Sequence, residues 1–170
     1  MRANYEAAAR HPTAYYGQLA RARLGRGQIE LRAPLPDLAS ADAPVTDERV
    51  RAADMLYEIG ERDVVLYFAA DLGQQSSNVV LLEALGDLTG RRNDARAMLQ
   101  IGKPSLGRGL PLDHYAFPTI GIPPHRQVAP EIERSVIYSV ARTESAFDQR
   151  DKSAANAVGL MQVTPEAGRD

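Results

Sequence analysis

Between residues 46 and 107 the chain is cut at short intervals by capping residues and glycines, and this punctuation constrains the fold more than any other feature. Thr46 or Asp47 can cap a helix that runs toward Gly60, with Val50, Ala53, Leu56, Tyr57 and Ile59 on its inward side. Residues 62 to 73 hold Val64-Val65-Leu66-Tyr67-Phe68-Ala69-Ala70, apolar nearly all round. Periodicity alone would allow a buried strand there, but the alanine pair and the following Asp71-Leu72-Gly73 favour a buried helix. Ser77 or Asn78 opens the next run, Val79 through Leu88, again ended by a glycine. Asn93 or Asp94 opens a further one with Ala97, Met98, Leu99 and Ile101. Helices of roughly 10 to 15 residues joined by short glycine-bearing turns suit an all-α, solenoid-like superhelix, although no clean internal repeat is visible.

The N-terminal residues extend the pattern. Residues 3 to 9 are alanine-rich, His11-Pro12-Thr13 interrupts them, and a second helix holds Tyr15, Tyr16, Leu19, Ala20 and Leu24 before Gly25. Pro34, Pro36 and Pro44 make residues 26 to 45 a connector, with Ile29-Glu30-Leu31 its extended candidate. Pro104, Pro111, Pro118, Pro123 and Pro124, with several glycines, mark residues 104–129 as a linker. The expected organisation is a helical segment over 1–103, this linker, and a distinct segment over 130–170.

The last segment carries the chemistry. Pro130 suits the first position of a helix, with Glu131 and Glu133 at its positive end. Ile132, Val136 and Val140 then recur every four residues beside Ile137 and Ala141, while Glu133, Arg134 and Arg142 fall off that stripe. Glu144 continues the four-residue series. A carboxylate at the edge of an apolar face and near a helix C-terminus is expected to have a raised pKa, the property a general acid needs. Residues 148 to 158 are small and polar and predict a loop or short hairpin, with Asn156 and Gly159 at positions that tolerate positive φ. Leu160, Met161, Gln162 and Val163 follow, and Thr164-Pro165-Glu166 makes a helix start.

These residues resemble the soluble lytic transglycosylases of bacterial cell-wall metabolism, whose catalytic domain is lysozyme-like and similar to goose-type lysozyme. Glu144, Ser145, Phe147, Ser153, Ala157, Gly159, Leu160, Met161, Gln162 and Pro165 match that family's pattern in order and spacing. Asn156 stands where the family usually has glycine, and Ala167-Gly168 where Thr-Ala is common. Shorter likenesses, Tyr15-Tyr16-Gly17 and Phe117-Pro118, extend the resemblance toward the N-terminus. The later family motif, an Ala-Tyr-Asn-Ala-Gly-like segment, does not occur before Asp170. The resemblance therefore implies a C-terminally truncated fragment: a helical superhelix followed by the N-terminal part of a lysozyme-like transglycosylase domain.

The resemblance also implies a mechanism. Glu144 is the single acid and base that cleaves the bond between N-acetylmuramic acid and N-acetylglucosamine, leaving a 1,6-anhydro product without consuming water. Ser153, Met161 and Gln162 are the implied glycan contacts. Ser145, Phe147 and Gly159 are structural, the serine satisfying the helix end and the phenylalanine packing under the loop. Asp148 and Asp151 lie in the loop as solvated turn residues, so no second carboxylate partner is evident. No histidine is close in sequence to make Ser145 a nucleophile.

Bulk properties narrow the rest. Twenty basic and 22 acidic residues leave a net charge of −2, which gives no electrostatic case for nucleic acid. There is no cysteine, and His11, His114 and His125 are widely separated, the pattern of turn or surface histidines; no metal and no cofactor is called for. The N-terminus has no signal-peptide core, so a periplasmic location rests on the resemblance alone. The implied partner is the glycan strand of peptidoglycan. Left uncovered, the stripe of Ile132, Val136 and Val140 would favour self-association. Two other functions fit the same residues: a non-catalytic helical module binding glycan or protein, and a goose-lysozyme-like hydrolase.

Overall fold

The computed structural model describes residues 1–27, 29–32, 47–126 and 132–169. The expected connector prolines Pro34, Pro36 and Pro44, the alternative cap Thr46, the helix-start pair Pro130 and Glu131, and Asp170 lie outside the described residues. Among the described residues the fold is all-α, with eight α-helices and one 3-10 turn. No helix among them is long and apolar enough to cross a membrane. The residues fall into two compact units, Met1–Leu31 and Arg32–Asp170.

The first unit is a helix pair, α1 (Arg2–Ala8) and α2 (Tyr15–Arg23). Ala9 and Ala20 are its buried apolar residues, and Tyr15 and Tyr16 are exposed. Gly17 is required by contact: a Cβ there would lie 1.8 Å from the carbonyl oxygen of His11, so α2 begins against the turn that leaves α1.

The second unit opens with α3 (Glu48–Glu58), α4 (Arg62–Gln75), α5 (Val79–Arg91) and α6 (Ala95–Gly107). Three of the four are capped by residues that the sequence singled out. Oδ1 of Asp47 accepts from the Arg49 N–H, that of Asn78 from Leu81 and that of Asp94 from Ala97, each satisfying an orphan donor of the first turn. Val50, Ala53, Tyr57, Val65, Leu81, Leu82, Leu85 and Ile101 form one core with Leu112 and Tyr115. Each fully buried large side chain in it contributes roughly 1.5–3 kcal/mol.

Two expectations are corrected here. Residues 62 to 73 form a helix, but an amphipathic one: Val65, Ala69 and Gly73 are buried while Tyr67 is 74 % exposed. Ile59, expected inward, is the C-cap residue of α3 and is 72 % exposed, because the turn at Gly60 carries it past the last inward-facing position.

Helix α6 is approached at backbone distance on two sides. A Cβ at Gly73 of α4 would lie 2.2 Å from the Gln100 carbonyl oxygen, and one at Gly102 would lie 2.1 Å from the backbone of Tyr115 and Ala116. Pro104 lies within α6 and has no N–H to offer Gln100 four residues back, and it is at this carbonyl that Gly73 comes in. The segment expected as a linker is partly core. Residues 104–107 finish α6, a short helix α7 (Asp113–Ala116) follows, and Leu112, Tyr115 and Ala116 are buried. Tyr115 anchors it through its hydroxyl, which donates to Oδ1 of Asp87 at 2.5 Å and lies 3.1 Å from the carbonyl oxygen of Glu83. Its prolines and glycines serve tight turns within the unit, a use that composition does not separate from a free connector. His114, expected at a turn or surface, is half-buried in α7 against the Tyr115 ring, and desolvation lowers its pKa.

Asp113 is almost wholly buried and holds Arg32. The guanidinium donates through Nη2 to Oδ1 at 2.7 Å and through Nε at 3.1 Å, and the Arg32 N–H donates to Oδ2 at 3.0 Å. Burial pushes the Asp113 carboxyl up, but the hydrogen bonds and charge of Arg32 outweigh it and hold the group below the ordinary carboxylate range.

Substituting Gly102→Ala should lower thermal stability by roughly 2 kcal/mol or more, because the methyl group meets backbone that cannot swing aside. Chemical denaturation of the full chain reads this directly. Because the folded pKa of Asp113 is depressed, its contribution is present at neutral pH and is lost as pH falls below about 4 through the folded value. Asp113→Asn should cost roughly 1–2 kcal/mol at pH 7, the low side for charged hydrogen bonds since Arg32 is half in water, and the gap from wild type should narrow as the carboxyl protonates in acid.

Candidate active site

The candidate residues lie on α8 (Arg134–Glu144) and the loop after it. The helix begins at Arg134, with Glu133 as its N-cap residue, rather than near residue 130. Its inward face is not the predicted stripe. Ala141 is fully buried against Ala95 and Leu99 of α6, with Tyr138 beside it, whereas Ile132, Val136 and Val140 are 57 %, 51 % and 38 % exposed. The four-residue spacing is real; the core lies on the adjoining face, reached through the small Ala141.

Glu144 is the last residue of α8, and the helix stops abruptly after it. Ser145 leaves helical geometry, and Ala146 and Phe147 both adopt left-handed backbone, with φ of 51° and 66°. The Ala141 carbonyl accepts the N–H of Ser145 at 3.3 Å and of Phe147 at 3.1 Å, which satisfies an otherwise orphaned helix-end acceptor. The reversal drives the Phe147 ring into the cluster of Ala95, Leu99 and Ala141, which Leu160 and Met161 cover. Ser145 is buried, and its hydroxyl donates to the Leu160 carbonyl at 2.9 Å. This one bond ties the helix end to the Gly159–Gln162 run, so the two motifs far apart in sequence meet in space.

The loop is a small braced hairpin. The Val158 N–H donates to Val163 at 3.0 Å, and Ser153 donates to the Ala157 carbonyl at 3.0 Å. Asn156 and Gly159 take positive φ, as expected. The Ser153 hydroxyl accepts from the Ala157 N–H at 3.1 Å, leaving its proton to donate elsewhere. Gln162 also adopts positive φ, and its amide nitrogen donates to the carbonyls of Gly159 at 3.0 Å and Asp151 at 3.3 Å, leaving its carbonyl oxygen open. Met161 is half-buried. Thr164 caps as expected, its hydroxyl accepting from the Ala167 N–H, but what it opens is the 3-10 turn Ala167–Arg169.

Glu144 itself is exposed and makes no side-chain hydrogen bond or ion pair among the described residues. The stripe expected to cover it, Ile132, Val136 and Val140, is itself exposed. Ser145 and Phe147 are both buried. Among the described residues, no hydrogen bond joins Glu144 to Ser153 or Gln162.

Two ion pairs hold the turn after Glu144, and sequence reasoning missed both. Arg96 of α6 reaches Asp148 at 2.7 Å, and Arg150 reaches Asp63 of α4 at 2.6 Å. Asp148 is thus largely buried rather than a solvated turn residue; it also accepts the Arg150 N–H. A cleft of about 400 Å³ opens between the N-terminal ends of α4 and α6 and this turn, and Glu144 does not line it.

Residues 124–170 match the family model for the transglycosylase SLT domain. The match lies on the segment that carries both motifs and supports a likeness to lytic transglycosylases there; at family level, SLT domains act on the glycan strands of peptidoglycan. No curated protein and no solved structure matches the chain. The SLT segment is seated on α4 and α6 through residues that lie outside the match, and Arg96 is the central one.

Replacing Arg96 with Gln should speed amide exchange at Phe147 and Asp148 about fivefold, the equivalent of roughly 1 kcal/mol for a partly buried pair, with α5 unchanged. At about 1 M salt the wild type should move toward the variant. Exchange measured by NMR on the full chain checks both.

Proposed function

We propose that this chain carries the acid–base end of a peptidoglycan lytic transglycosylase, with Glu144 as its single catalytic carboxyl group. One observation carries the proposal: the SLT match covers a segment in which an exposed glutamate ends a helix that Ser145 ties to the Gly159–Gln162 run. Glu144 protonates the oxygen linking N-acetylmuramic acid to N-acetylglucosamine. The bond from that oxygen to the muramic C1 breaks, the muramic C6 hydroxyl adds to C1, and the Glu144 carboxylate takes the hydroxyl proton. The proton count closes with no water used, so the product is a 1,6-anhydro sugar and the enzyme is a lyase. A strand laid over the exposed face would exclude water from Glu144, so that the proton goes to the leaving oxygen rather than to solvent.

In this reading the free proton of Ser153 and the open carbonyl of Gln162 bind glycan substituents, and Met161 supplies an adaptable apolar wall. A periplasmic location follows from the substrate. A second reading, binding of glycan strands without cleavage by this chain alone, is favoured by the exposure of Glu144 and of Ile132, Val136 and Val140.

Incubation with purified peptidoglycan and mass analysis of the soluble fragments separates the readings. Anhydro-ended muropeptides that fall at least 100-fold in Glu144→Gln would support transglycosylation. Reducing-ended products would point to hydrolysis, and sedimentation with peptidoglycan without release would point to binding alone.

A further inference from the structure

Helix α8 has a second polar flank. Arg134, Tyr138 and Arg142 lie one turn apart, and Arg142 is about 200° round the helix from Glu144. With Phe117, Pro118 and Thr119 they line a groove of about 440 Å³. Neither arginine has a carboxylate partner among the described residues. Arg142 donates through Nε to the Ala116 carbonyl at 2.7 Å, and its guanidinium stands over the Phe117 ring, 4.9 Å from the centroid. Arg134 donates to the Tyr138 hydroxyl at 3.2 Å and lies 5.8 Å from that ring's centroid. The nearest acid in sequence, Glu133, accepts from the Ser135 hydroxyl instead. Among the described residues, no aspartate or glutamate lines the groove.

A guanidinium offers five N–H donors, and Arg142 commits one of them to a neutral acceptor. Burial also pushes its pKa below the usual arginine range, the mark of a cation drawn out of water without a counter-charge. Cations so placed are ordinarily paired, and the planar fork matches a carboxylate bidentately. The two rings supply apolar walls. They suit the body of an organic acid better than a phosphate dianion, whose hydration is costlier to remove.

We propose that this groove is a binding site for a carboxylate carried on a small apolar body, with Arg142 and Arg134 as the anion-binding pair and Phe117 and Tyr138 as its walls. The site uses none of the residues assigned to acid–base chemistry, so it stands whether or not the chain cleaves glycan.

Titration of the full chain with N-acetylalanine, followed by NMR at the arginine Nε and the Thr119 amide, tests the site, with the methyl ester of the same compound as the neutral control. The expected result is saturable shifts with the acid and none with the ester. Arg134→Gln, an exposed substitution, should weaken binding at least threefold. Arg142→Lys should weaken it more than Arg134→Gln does, because the ammonium keeps the charge but loses the fork. Equal shifts with the ester, the same or tighter binding of inorganic phosphate, absence of saturation, or indifference to Arg134→Gln would each overturn the proposal.

Discussion

Everything in the larger unit depends on how closely α6 can be approached. Gly73 and Gly102 let α4 and the α7 segment come to backbone distance on two sides of it, where any side chain would collide with a carbonyl or a peptide plane. With its neighbours that close, α6 presents Ala95 and Leu99 as a shallow apolar floor and Arg96 as a lateral arm. The floor receives Phe147 and the arm receives Asp148. Both lie just beyond the glutamate that ends α8, so packing deep in the helical part sets where the chemistry-bearing turn rests.

Much of this was legible from single residues. Asp47, Asn78 and Asp94 announce helix starts because their side chains can satisfy orphan N–H groups, and each does so. The turn residues Asn156 and Gly159 reveal themselves by the backbone they tolerate. The Glu144–Phe147 and Gly159–Gln162 motifs were recognisable as a linked pair, and the Ser145 hydroxyl on the Leu160 carbonyl is the physical link. Such features depend on a residue and its near neighbours.

What stayed hidden depends on partners distant in sequence. Arg96 and Asp148, or Arg150 and Asp63, look like ordinary surface charges until the fold brings them together. The face of α8 that is buried was misjudged for a related reason. Periodicity weighs large apolar residues, so it favours Ile132, Val136 and Val140, yet the helix seats itself through Ala141, whose small side chain admits a close approach. The proline- and glycine-bearing stretch before α8 misleads in the same way, since a tight turn and a loose linker share one composition.

The two left-handed residues after Glu144 carry a consequence beyond ending a helix. Ala146 and Phe147 have no glycine's freedom, so each holds its backbone there at a cost of about 1–2 kcal/mol, offset by the Phe147 ring in its pocket and the carbonyl of Ala141. Fraying of the last residue would release the Glu144 side chain from the direction that helical geometry gives it, and the reversal opposes that fraying. The reversal therefore works as a rotational index: it allows α8 a single length, and with it a single compass bearing for the carboxylate.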